Sequence, residues 1–600
     1  MKLKALAFGV LIAGADPASR CYAAADPASQ GYAAAGAVYW QGWSMDAFAQ
    51  AGREHKMVLL DLQAVWCHWC HVMDATTYKD PRVIMLLQDR FVTIKVDQDS
   101  RPDLASRYED YGWPATVIYA PDGTEIVKKQ GYIEPNGMVR LLIAVMADPS
   151  PVDYHDSVAV APAGDGALSE EGRVELVNQW LKGYDDRAGG WGLEHKYLDW
   201  DTVEFGMREA GRNPRAEAMA RETLRLQRRL LDPVWGGMYQ YSVDGDWNEP
   251  HFEKIMPMQA EDMRVYALAS AQWGDPVYLQ TAQAIHRYLK AFLTGPEGAF
   301  YVSQDADLVP GEHSADYFSL DDAGRRAKGV PRIDRNLYSR ENGWAIAGLA
   351  ELAAVSGDAA ARDEAVAAAN WVLAHRALGG GGFSHGGRDE AGPYLGDTLA
   401  MGRGFYGLYQ LTGKTVWLNR AAAAADFARA HFGRGAEMGY ASSDTTVRRF
   451  PRPAPEYDEN VALARLAVAL GHATGKTVYR DMAATALKWV LSPALTERRG
   501  YYVGGAILAA DEAGSDPLHV MILGRKDDPA AQALHAAALK APTAHKLVEW
   551  WDRSEGPPPR GEDIYPDLPR AAAFLCANGA CSSPVFEAQA LEERIRKAMR

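Results

Sequence analysis

The strongest constraint on the fold is a helical unit that recurs along the chain between residues 170 and 492. In each copy one helix ends in glycine, a short polar turn follows, and a second helix begins. Glycine tolerates the left-handed conformation in which helices commonly end. Two of the copies share the sequence TGKTV, at residues 412–416 and 474–478. The helix-ending glycines are Gly211, Gly274, Gly357, Gly413 and Gly475.

A glycine–aromatic loop follows each helix pair, and a further loop precedes the first pair. Recurrence at intervals of roughly 50 to 80 residues indicates stacked helical hairpins. Six hairpins predict a closed (α/α)6 barrel, in which the helix near residues 170–185 pairs with a late helix; an open solenoid is the alternative. In both arrangements the loops meet at one end and line its mouth. The loops contain Gly190–Trp191, Gly237–Tyr239, Gly298–Tyr301, Gly382–Phe383, Gly439–Tyr440 and Gly500–Tyr502.

A different pattern precedes the helical units. Short apolar runs alternate with helical patterns, and the order strand, helix, strand, strand hairpin, helix is typical of a small α/β domain. The predicted strands are Met57–Leu62, Phe91–Asp97, Ala115–Ala120 and Glu125–Val127, and the closing helix is Met138–Met146.

The most informative chemical motif is Cys67-His68-Trp69-Cys70, which follows the first predicted strand and begins a helix. Only a thiolate attacks a disulfide, and the free N–H groups of a helix N-terminus stabilise a thiolate. We expect Cys67, at the exposed end, to attack and Cys70, one turn further on, to resolve the mixed disulfide. A protonated His68 would stabilise the thiolate and make the pair more oxidising.

Two other residues fit the same chemistry. Asp61, on the strand before the motif, is placed to take the proton of Cys70. Pro114 follows Gly112-Trp113 and precedes a strand, where a cis peptide would shape a substrate groove. Because the electrons are held in the dithiol, such a site needs no dissociable cofactor.

The cysteine motif has other interpretations. Cys67–His71 fits the C-x-x-C-H attachment motif for c-type haem, although the preceding strand and the following Gly-x-Pro argue against haem. Metal binding by Cys67, Cys70, His68 and His71 is a second alternative, but no further ligand pair has zinc-finger spacing. An inert remnant is the third.

The stretch from Val58 to Glu125 resembles the thioredoxin superfamily, with Asp61, Trp66, the C-x-x-C and the Gly-x-Pro in matching places. CHWCHVM, FVTIKVDQDSRPD and GWPATVIYAPDG resemble the thioredoxin-like domain of the spermatogenesis-associated protein 20 family and its bacterial relatives more closely. The likeness continues through GGWGLEHKY, GGMYQYSVDGDWNEPHFEK, YVSQDAD, YLGDTLA, DENVALARL and AAAFLCANGACSSPV, from residue 38 to the C-terminus.

This resemblance implies a thioredoxin-like α/β domain followed by a six-hairpin barrel like those of glycosidases and sugar epimerases. It implies an architecture more firmly than an activity. Two regions depart from the family pattern: residues 194–197 read Glu-His-Lys-Tyr instead of Pro-Lys-Phe-Pro, and residues 308–341 are shorter.

Polar and aromatic residues near the glycine–aromatic loops are candidates for a ligand pocket in the barrel mouth. A histidine beside a carboxylate can transfer protons on a sugar, and aromatic rings can stack on sugar faces. Each residue also fits a structural role, such as a hydrogen-bonded pair, packing near a glycine turn, or a helix cap. The candidates are His195, Lys196, Trp235, Tyr241, His251, Glu253, Lys254, Asp305, Asp307 and Asp397.

The cysteine pair near the C-terminus and the first residues of the chain suggest the cellular compartment. Cys576 and Cys581 lack a helix-start context, so we expect a structural disulfide or two buried thiols. Lys2, Lys4, an apolar run and a small-residue end at Ala25 are typical of a secretory signal peptide. Together these features predict a periplasmic or secreted protein, with a cytoplasmic one as the alternative.

The predicted layout has six parts. Residues 1–25 are a signal peptide, 26–37 a low-complexity tail, 38–147 the thioredoxin-like domain, 148–168 a linker, 169–510 the barrel, and 511–600 an α/β segment that completes it. The formal net charge of -15 argues against nucleic acid or an anionic membrane as a partner. After the leader, no apolar run approaches the ~18 residues of a spanning helix.

These observations favour a thiol–disulfide oxidoreductase that acts on protein disulfides or a thioredoxin-like redox partner, with a barrel that binds a glycan or a protein. The alternatives are a carbohydrate-active barrel with a structural thioredoxin-like lid, and a non-catalytic binding scaffold.

Overall fold

The computed structural model describes residues 36–108, 112–152, 164–387, 391–435, 438–446, 450–558, 565–577 and 580–599. The predicted signal peptide, most of the low-complexity tail and the middle of the predicted linker lie outside these residues. No helix within the described ranges has the length and apolarity needed to cross a membrane.

The first domain is a four-stranded mixed sheet with helices on both faces. The sheet order is β2-β1-β3-β4, with β1 parallel to β2 and antiparallel to β3. Apolar side chains fill a core on each side of the sheet. The elements are α1 (Met45–Glu54), β1 (Met57–Gln63), α2 (His68–Ala75), α3 (Pro81–Arg90), β2 (Phe91–Asp97), α4 (Pro102–Tyr108), β3 (Ala115–Tyr119), β4 (Glu125–Gln130) and α5 (Pro135–Ala147).

The second domain is a closed barrel of six helical hairpins. Six inner helices form a continuous ring, because the last of them packs against both its predecessor and the first. They are α7 (Trp200–Arg208), α9 (Met256–Trp273), α13 (Ser339–Ser356), α15 (Leu395–Thr412), α17 (Tyr457–Thr474) and α20 (Gly504–Ala513). The outer helices are α6 (Glu170–Lys182), α8 (Pro214–Gln227), α10 (Pro276–Phe292), α14 (Ala359–His375), α16 (Thr415–His431) and α18 (Thr477–Val490).

The ring confirms the prediction of a closed barrel, and α6 pairs with the late helix α20. Gly274, Gly357, Gly413 and Gly475 each end an inner helix in the left-handed conformation, with φ from 63° to 74°. The glycine–aromatic loops therefore lie at the opposite end, where the inner helices begin. Short elements occupy that mouth: β5 (Tyr241–Ser242), β6 (Pro250–His251), β7 (Lys254–Ile255), β8 (Ser303–Gln304), α11 (Ala315–Phe318), α12 (Asp322–Lys328), β9 (Ile333–Asp334) and α19 (Pro493–Arg498).

The C-terminal segment forms a small α/β unit at the other end of the barrel. Its sheet has the order β11-β10-β12-β13, and Glu549 on it accepts a hydrogen bond from Tyr409, near the end of α15. Apolar and helical patterns in the sequence predict strands at Leu518–Leu523 and Ala571–Cys576 and helices at Pro529–Leu539 and 587–600, but neither β11 nor β13. The elements are β10 (Leu518–Leu523), α21 (Pro529–Leu539), β11 (Lys546–Trp551), β12 (Ala572–Ala577), β13 (Ala580–Cys581) and α22 (Ala588–Ala598).

The thioredoxin-like domain sits on the barrel mouth. Its Asp99 carbonyl accepts a hydrogen bond from His385 Nε2 at 2.6 Å, and its Trp43 stacks on Phe450 with ring centroids 5.9 Å apart. The dithiol helix α2 therefore faces the loops of the barrel rather than bulk solvent.

Candidate functional site

The dithiol occupies the N-terminus of α2. Cys67 is the N-cap residue with an extended backbone, and its Sγ accepts a hydrogen bond from the Cys70 amide at 3.3 Å. Both cysteines are free thiols. The Cys67 Sγ also donates to the Trp113 carbonyl oxygen at 3.7 Å, and Trp113–Pro114 is a cis peptide bond. The structure thus brings together the two cysteines and Pro114.

The prediction that Cys67 lies at an exposed end was wrong. Only 5% of Cys67 and 1% of Cys70 is accessible to solvent. Ile255 of the barrel packs against the cluster of Ala64, Trp66, Cys67 and Cys70. The Ala306 amide donates to the Trp66 carbonyl oxygen at 3.3 Å. The sulfur is covered because two barrel segments occupy the space in front of α2.

Asp61 lies buried behind the dithiol, with 1% of its surface exposed. Burial raises the pKa of Asp61 to about 6, although the Lys95 ammonium, 3.2 Å away, opposes the rise. Burial also raises the pKa of the Cys70 thiol, and the nearby Cys67 and the charge of Asp61 act in the same direction. The charge of Asp61 therefore acts on Cys70, and the Asp61 carboxyl group titrates closer to neutrality than an ordinary aspartate.

Two aspartates of the barrel pair with the two histidines of the motif. His68 Nδ1 lies 2.8 Å from Asp307 Oδ1, and His71 Nδ1 lies 3.0 Å from Asp307 Oδ2. Burial lowers the pKa of His71, but its hydrogen bond to Asp307 and the charges of Asp305 and Asp307 outweigh burial and raise it. These pairs hold α2 against the barrel, and the paired residues are more than 230 positions apart in the sequence.

The pKa values of the same two aspartates are shifted in opposite directions. Burial opposes ionisation of Asp307, but hydrogen bonds from His68 and His71 lower its pKa to about 2. Burial raises the pKa of Asp305 to about 7, with His71 opposing the rise and the charges of Asp307 and Glu253 adding to it. One carboxylate is therefore a firm anion and the other titrates near neutral pH.

His71, Asp305 and Asp307 are close enough to hold a metal ion, with one ligand atom of each within 4.8 Å of the others. Both nitrogens of His71 have partners, because Nε2 lies 3.1 Å from the Val65 carbonyl oxygen. A carbonyl only accepts, so Nε2 carries a hydrogen, and a metal would compete with the pair that Nδ1 makes with Asp307. In the described part of the chain, neither cysteine belongs to this group.

Four further pocket candidates, Glu253, His251, Tyr241 and His195, form a connected group that reaches α2. Glu253 Oε1 accepts a hydrogen bond from the His68 amide at 3.4 Å, and Glu253 Oε2 is buried without a hydrogen-bond partner among the described residues, 3.6 Å from His251 Nδ1. Tyr241 stacks on His251 at 4.3 Å between ring centroids and contacts the His195 ring edge-on.

The position of Tyr241 connects this group with the sulfurs. Burial raises the pKa of Tyr241 well above its usual value, and charges on Glu253, Cys67 and Cys70 raise it further. The Tyr241 hydroxyl is therefore within electrostatic reach of the Glu253 carboxylate and both thiols. The residues predicted as two separate sites form one site between the domains.

Three other pocket candidates have structural roles, which corrects the prediction for them. Lys196 is fully buried and donates to Asp185 at 2.8 Å. Lys254 is fully buried and donates to Asp232 at 2.6 Å. Trp235 is 7% exposed, and its indole N–H donates to an aspartate on α12 at 2.7 Å. The polar groups of all three are engaged in these contacts.

Asp397 belongs to an acidic cluster that the sequence did not predict as a group. Its Oδ1 accepts from the Arg340 amide at 2.9 Å and lies 2.8 Å from His385 Nδ1. Glu341, Asp397 and Glu459 each have a buried carboxyl oxygen without a hydrogen-bond partner. Each is the third residue of its inner helix, α13, α15 or α17. Aligning the repeats at their helix starts would have revealed this recurrence.

The other cysteine pair lies far from this site. Cys576 on β12 and Cys581 on β13 are joined by a disulfide in the C-terminal unit.

Comparisons with known proteins agree with this architecture. Residues 30–146 match the family model Thioredox_DsbH, described as "Protein of unknown function, DUF255". Over 82 residues, 13% of this chain and 14% of the relative, the chain is 35% identical to the thiol:disulfide interchange protein DsbD of Pseudomonas fluorescens.

The match to a human relative covers a longer part of the chain. The chain is 28% identical over 309 residues to spermatogenesis-associated protein 20 of Homo sapiens, which is 46% of this chain and 39% of the relative. The chain thus spans about two fifths of the length of the curated relatives it matches. The resemblance to the spermatogenesis-associated protein 20 family is confirmed.

The solved structure of a D-mannose isomerase is 11% identical and superposes with a TM-score of 0.44, covering 59% of this chain and 99% of that one. This likeness concerns the fold alone. The family match and the fold described above give a thioredoxin-like domain with a mixed sheet, followed by an (α/α)6 barrel.

Proposed function

We propose that this protein is a thiol–disulfide oxidoreductase that uses Cys67 as the attacking thiol and Cys70 as the resolving thiol. The observation that supports this most directly is the arrangement of the dithiol. Cys67 caps α2, Pro114 follows a cis peptide bond beside it, and Asp61 lies buried near Cys70. A helix N-terminus stabilises a thiolate, and an adjacent carboxylate can accept the second thiol proton.

The proposed exchange proceeds in two steps. The Cys67 thiolate attacks one sulfur of a substrate disulfide, so a bond forms between the enzyme and that sulfur, and the other sulfur leaves as a thiolate. Cys70 then gives up its proton to Asp61 and attacks Cys67, which releases the second substrate thiol and leaves Cys67 and Cys70 as a disulfide. Two electrons pass from the dithiol to the substrate, and an external dithiol reductant restores the enzyme.

A single-turnover experiment tests the proposal. The full chain is reduced, freed of reductant and mixed with bis(2-hydroxyethyl) disulfide, and the released thiol is titrated. We expect two thiols per chain from the wild type and none from C67S. C70S should stop at a mixed disulfide on Cys67, visible by mass spectrometry. A wild type that releases no thiol, or a C67S variant that is as active, would overturn the proposal.

The other disulfide requires a control in the same experiment. Reduction could also open the bond between Cys576 and Cys581. A variant with serine at both positions should release the same two thiols from Cys67 and Cys70. A loss of thiol release in this variant would instead assign the activity to the C-terminal pair.

The acidic cluster of the barrel supports a second candidate function, a carbohydrate-active enzyme. Burial and the charges of Glu456 and Asp397 raise the pKa of Glu459 well above its usual value, with Arg340 opposing them. A carboxyl group that holds its proton can serve as the acid in acid–base chemistry on a sugar.

A panel of mono- and disaccharides, followed by chromatography, tests this second candidate. Turnover that persists in C67S and disappears in E459Q would favour it, with the thioredoxin-like domain as a structural lid. Turnover lost equally in C67S would argue that the two sites act together, and no turnover of any sugar would remove the candidate. The periplasmic or secreted location remains a prediction, to be tested by fractionation of the expressing cell.

A further inference from the structure

The dithiol is shielded from large molecules by the barrel. Cys67 is 5% exposed, and Ile255 packs against the apolar cluster to which Cys67 belongs. The Ala306 amide bonds to the Trp66 carbonyl oxygen, and Glu253 bonds to the first amide of α2. A folded protein that presents a disulfide needs the surface that these barrel segments occupy. A small disulfide needs only enough space to reach the accessible part of the sulfur.

Two acidic side chains of the barrel lie against α2, and their oxygens are partnered differently. Both carboxylate oxygens of Asp307 are paired, with His68 and with His71. The Glu253 side chain is 3% exposed, and its Oε1 accepts a hydrogen bond from the His68 amide at 3.4 Å. Among the described residues its Oε2 has no hydrogen-bond partner, because His251 Nδ1, 3.6 Å away, lies beyond hydrogen-bond distance. A buried carboxylate oxygen without a hydrogen bond is costly, so a ligand that supplies a donor or a cation at this point is stabilised.

The residues around Glu253 suit a small cation. Tyr241 and His251 stack face to face at 4.3 Å, and His195 contacts the edge of Tyr241 at 5.2 Å. His251 covers one face of Tyr241, and the opposite face of such a ring attracts an ammonium group. Charge-assisted hydrogen bonds between an ammonium and a carboxylate are about twice as strong as neutral ones.

We propose that the substrate of the dithiol is a low-molecular-weight disulfide that carries an ammonium group, which Glu253 binds while Cys67 attacks the sulfur. This inference rests on the proposed oxidoreductase activity and specifies its substrate class. It replaces the protein disulfides that the sequence suggested. The balanced reaction consumes one amine-bearing disulfide and the reduced dithiol, and it yields two amine-bearing thiols and the Cys67–Cys70 disulfide. A dithiol reductant supplies the electrons for the next turnover.

Three disulfides of similar size and different charge test the inference on the wild-type full chain. They are cystamine, with two ammonium groups, neutral bis(2-hydroxyethyl) disulfide, and 3,3′-dithiodipropionate, with two carboxylates. Dithiothreitol is the reductant, and each kcat/KM is divided by the rate of dithiothreitol alone with the same disulfide. This correction is needed because the leaving thiols differ in acidity. We expect the corrected value for cystamine to exceed that for dithiodipropionate at least tenfold.

A pair of variants assigns the preference to one carboxylate. E253Q should lower the corrected kcat/KM for cystamine at least tenfold and reduce the ratio between cystamine and dithiodipropionate to less than threefold. Glu249 lies on the same hairpin but is exposed, so E249Q is the matched control and should keep the wild-type ratio. Circular dichroism of both variants checks that the fold is retained, and the wild-type ratio decides the inference even if E253Q fails to fold.

The remaining outcomes separate this inference from the proposed activity. Equal corrected rates for the three disulfides, a preference for the anionic one, or reduction of insulin at least as fast as cystamine would overturn the inference and leave the oxidoreductase activity standing. No reduction of any of the three disulfides or of insulin would overturn both.

Discussion

Replacing Asp61 with asparagine should stabilise the thioredoxin-like domain at neutral pH and slow disulfide exchange. The folded protein holds this carboxyl group in an apolar interior, where burial raises its pKa from 3.8 to about 6. Because the pKa of Asp61 is higher in the folded than in the unfolded state, the contribution of this carboxyl group to stability is fully present below pH 3.8. It is lost as the pH rises through 6.

The size of the effect follows from the pKa. At 1.36 kcal/mol per pKa unit, a rise from 3.8 to about 6 corresponds to about 3 kcal/mol above pH 6. Asparagine is neutral at every pH and avoids this cost, so D61N should be more stable by up to about 3 kcal/mol at pH 7.5 and by nothing at pH 3.5. Lys95 keeps its second partner, Asp74, in the variant.

Hydrogen-exchange mass spectrometry on the full chain measures this change locally. Peptides from β1 and β2 report the opening free energy of the sheet, which does not depend on how the barrel unfolds. Asp74 provides the matched control, because it also pairs with Lys95 but is 40% exposed. D74N should change the opening free energy by less than about 1 kcal/mol.

The same substitution should impair the reaction, because the Cys70 thiol loses its proton acceptor. General-base catalysis contributes about 100-fold or more to such a step, so the mixed disulfide on Cys67 should accumulate in D61N. A D61N variant that is less stable than the wild type at pH 7.5, or equally stabilised at pH 3.5 and 7.5, would refute the electrostatic argument. Unchanged resolution of the mixed disulfide would refute the catalytic one.

Three further predictions concern contacts in three places: the interface of the two domains, the barrel interior and the C-terminal unit. D307N should weaken the docking of the two domains by about 2 kcal/mol at pH 7. The pKa of Asp307 is lowered from 3.8 to about 2, so its stabilising contribution is present at neutral pH and is lost as the pH falls through 2. Faster hydrogen exchange in α2 would show the weakened docking. E204Q should lower barrel stability by about 3 to 5 kcal/mol, because Arg264 and Arg465, whose side chains are only 10% and 15% exposed, lose a shared charge partner. Thermal unfolding measures the change, with E217Q, at a carboxylate that is 30% exposed, as the control. Serine at Cys576 and Cys581 should destabilise only the C-terminal sheet, by about 2 kcal/mol for so short a loop, measured by hydrogen exchange in β10 and β12.

Local signals in the sequence were sufficient for the architecture. Helix ends depend on residues within one turn, and the left-handed glycines at 274, 357, 413 and 475 lie where the repeats place them. The strand Phe91–Asp97 and the helix Pro529–Leu539 have the predicted bounds. The strand β11 was missed, because its run KLVEWW is short and interrupted by charge.

The tertiary structure alone decided what surrounds the dithiol. The sequence identified Cys67, Cys70, Asp61 and Pro114 from their spacing, since these residues belong to one small domain. It could not show that Asp307 would pair with His68, 239 positions away, because such a contact depends on how two separately folded surfaces meet. That docking buries the thiol, places Glu253 beside it, and combines the two predicted sites into one.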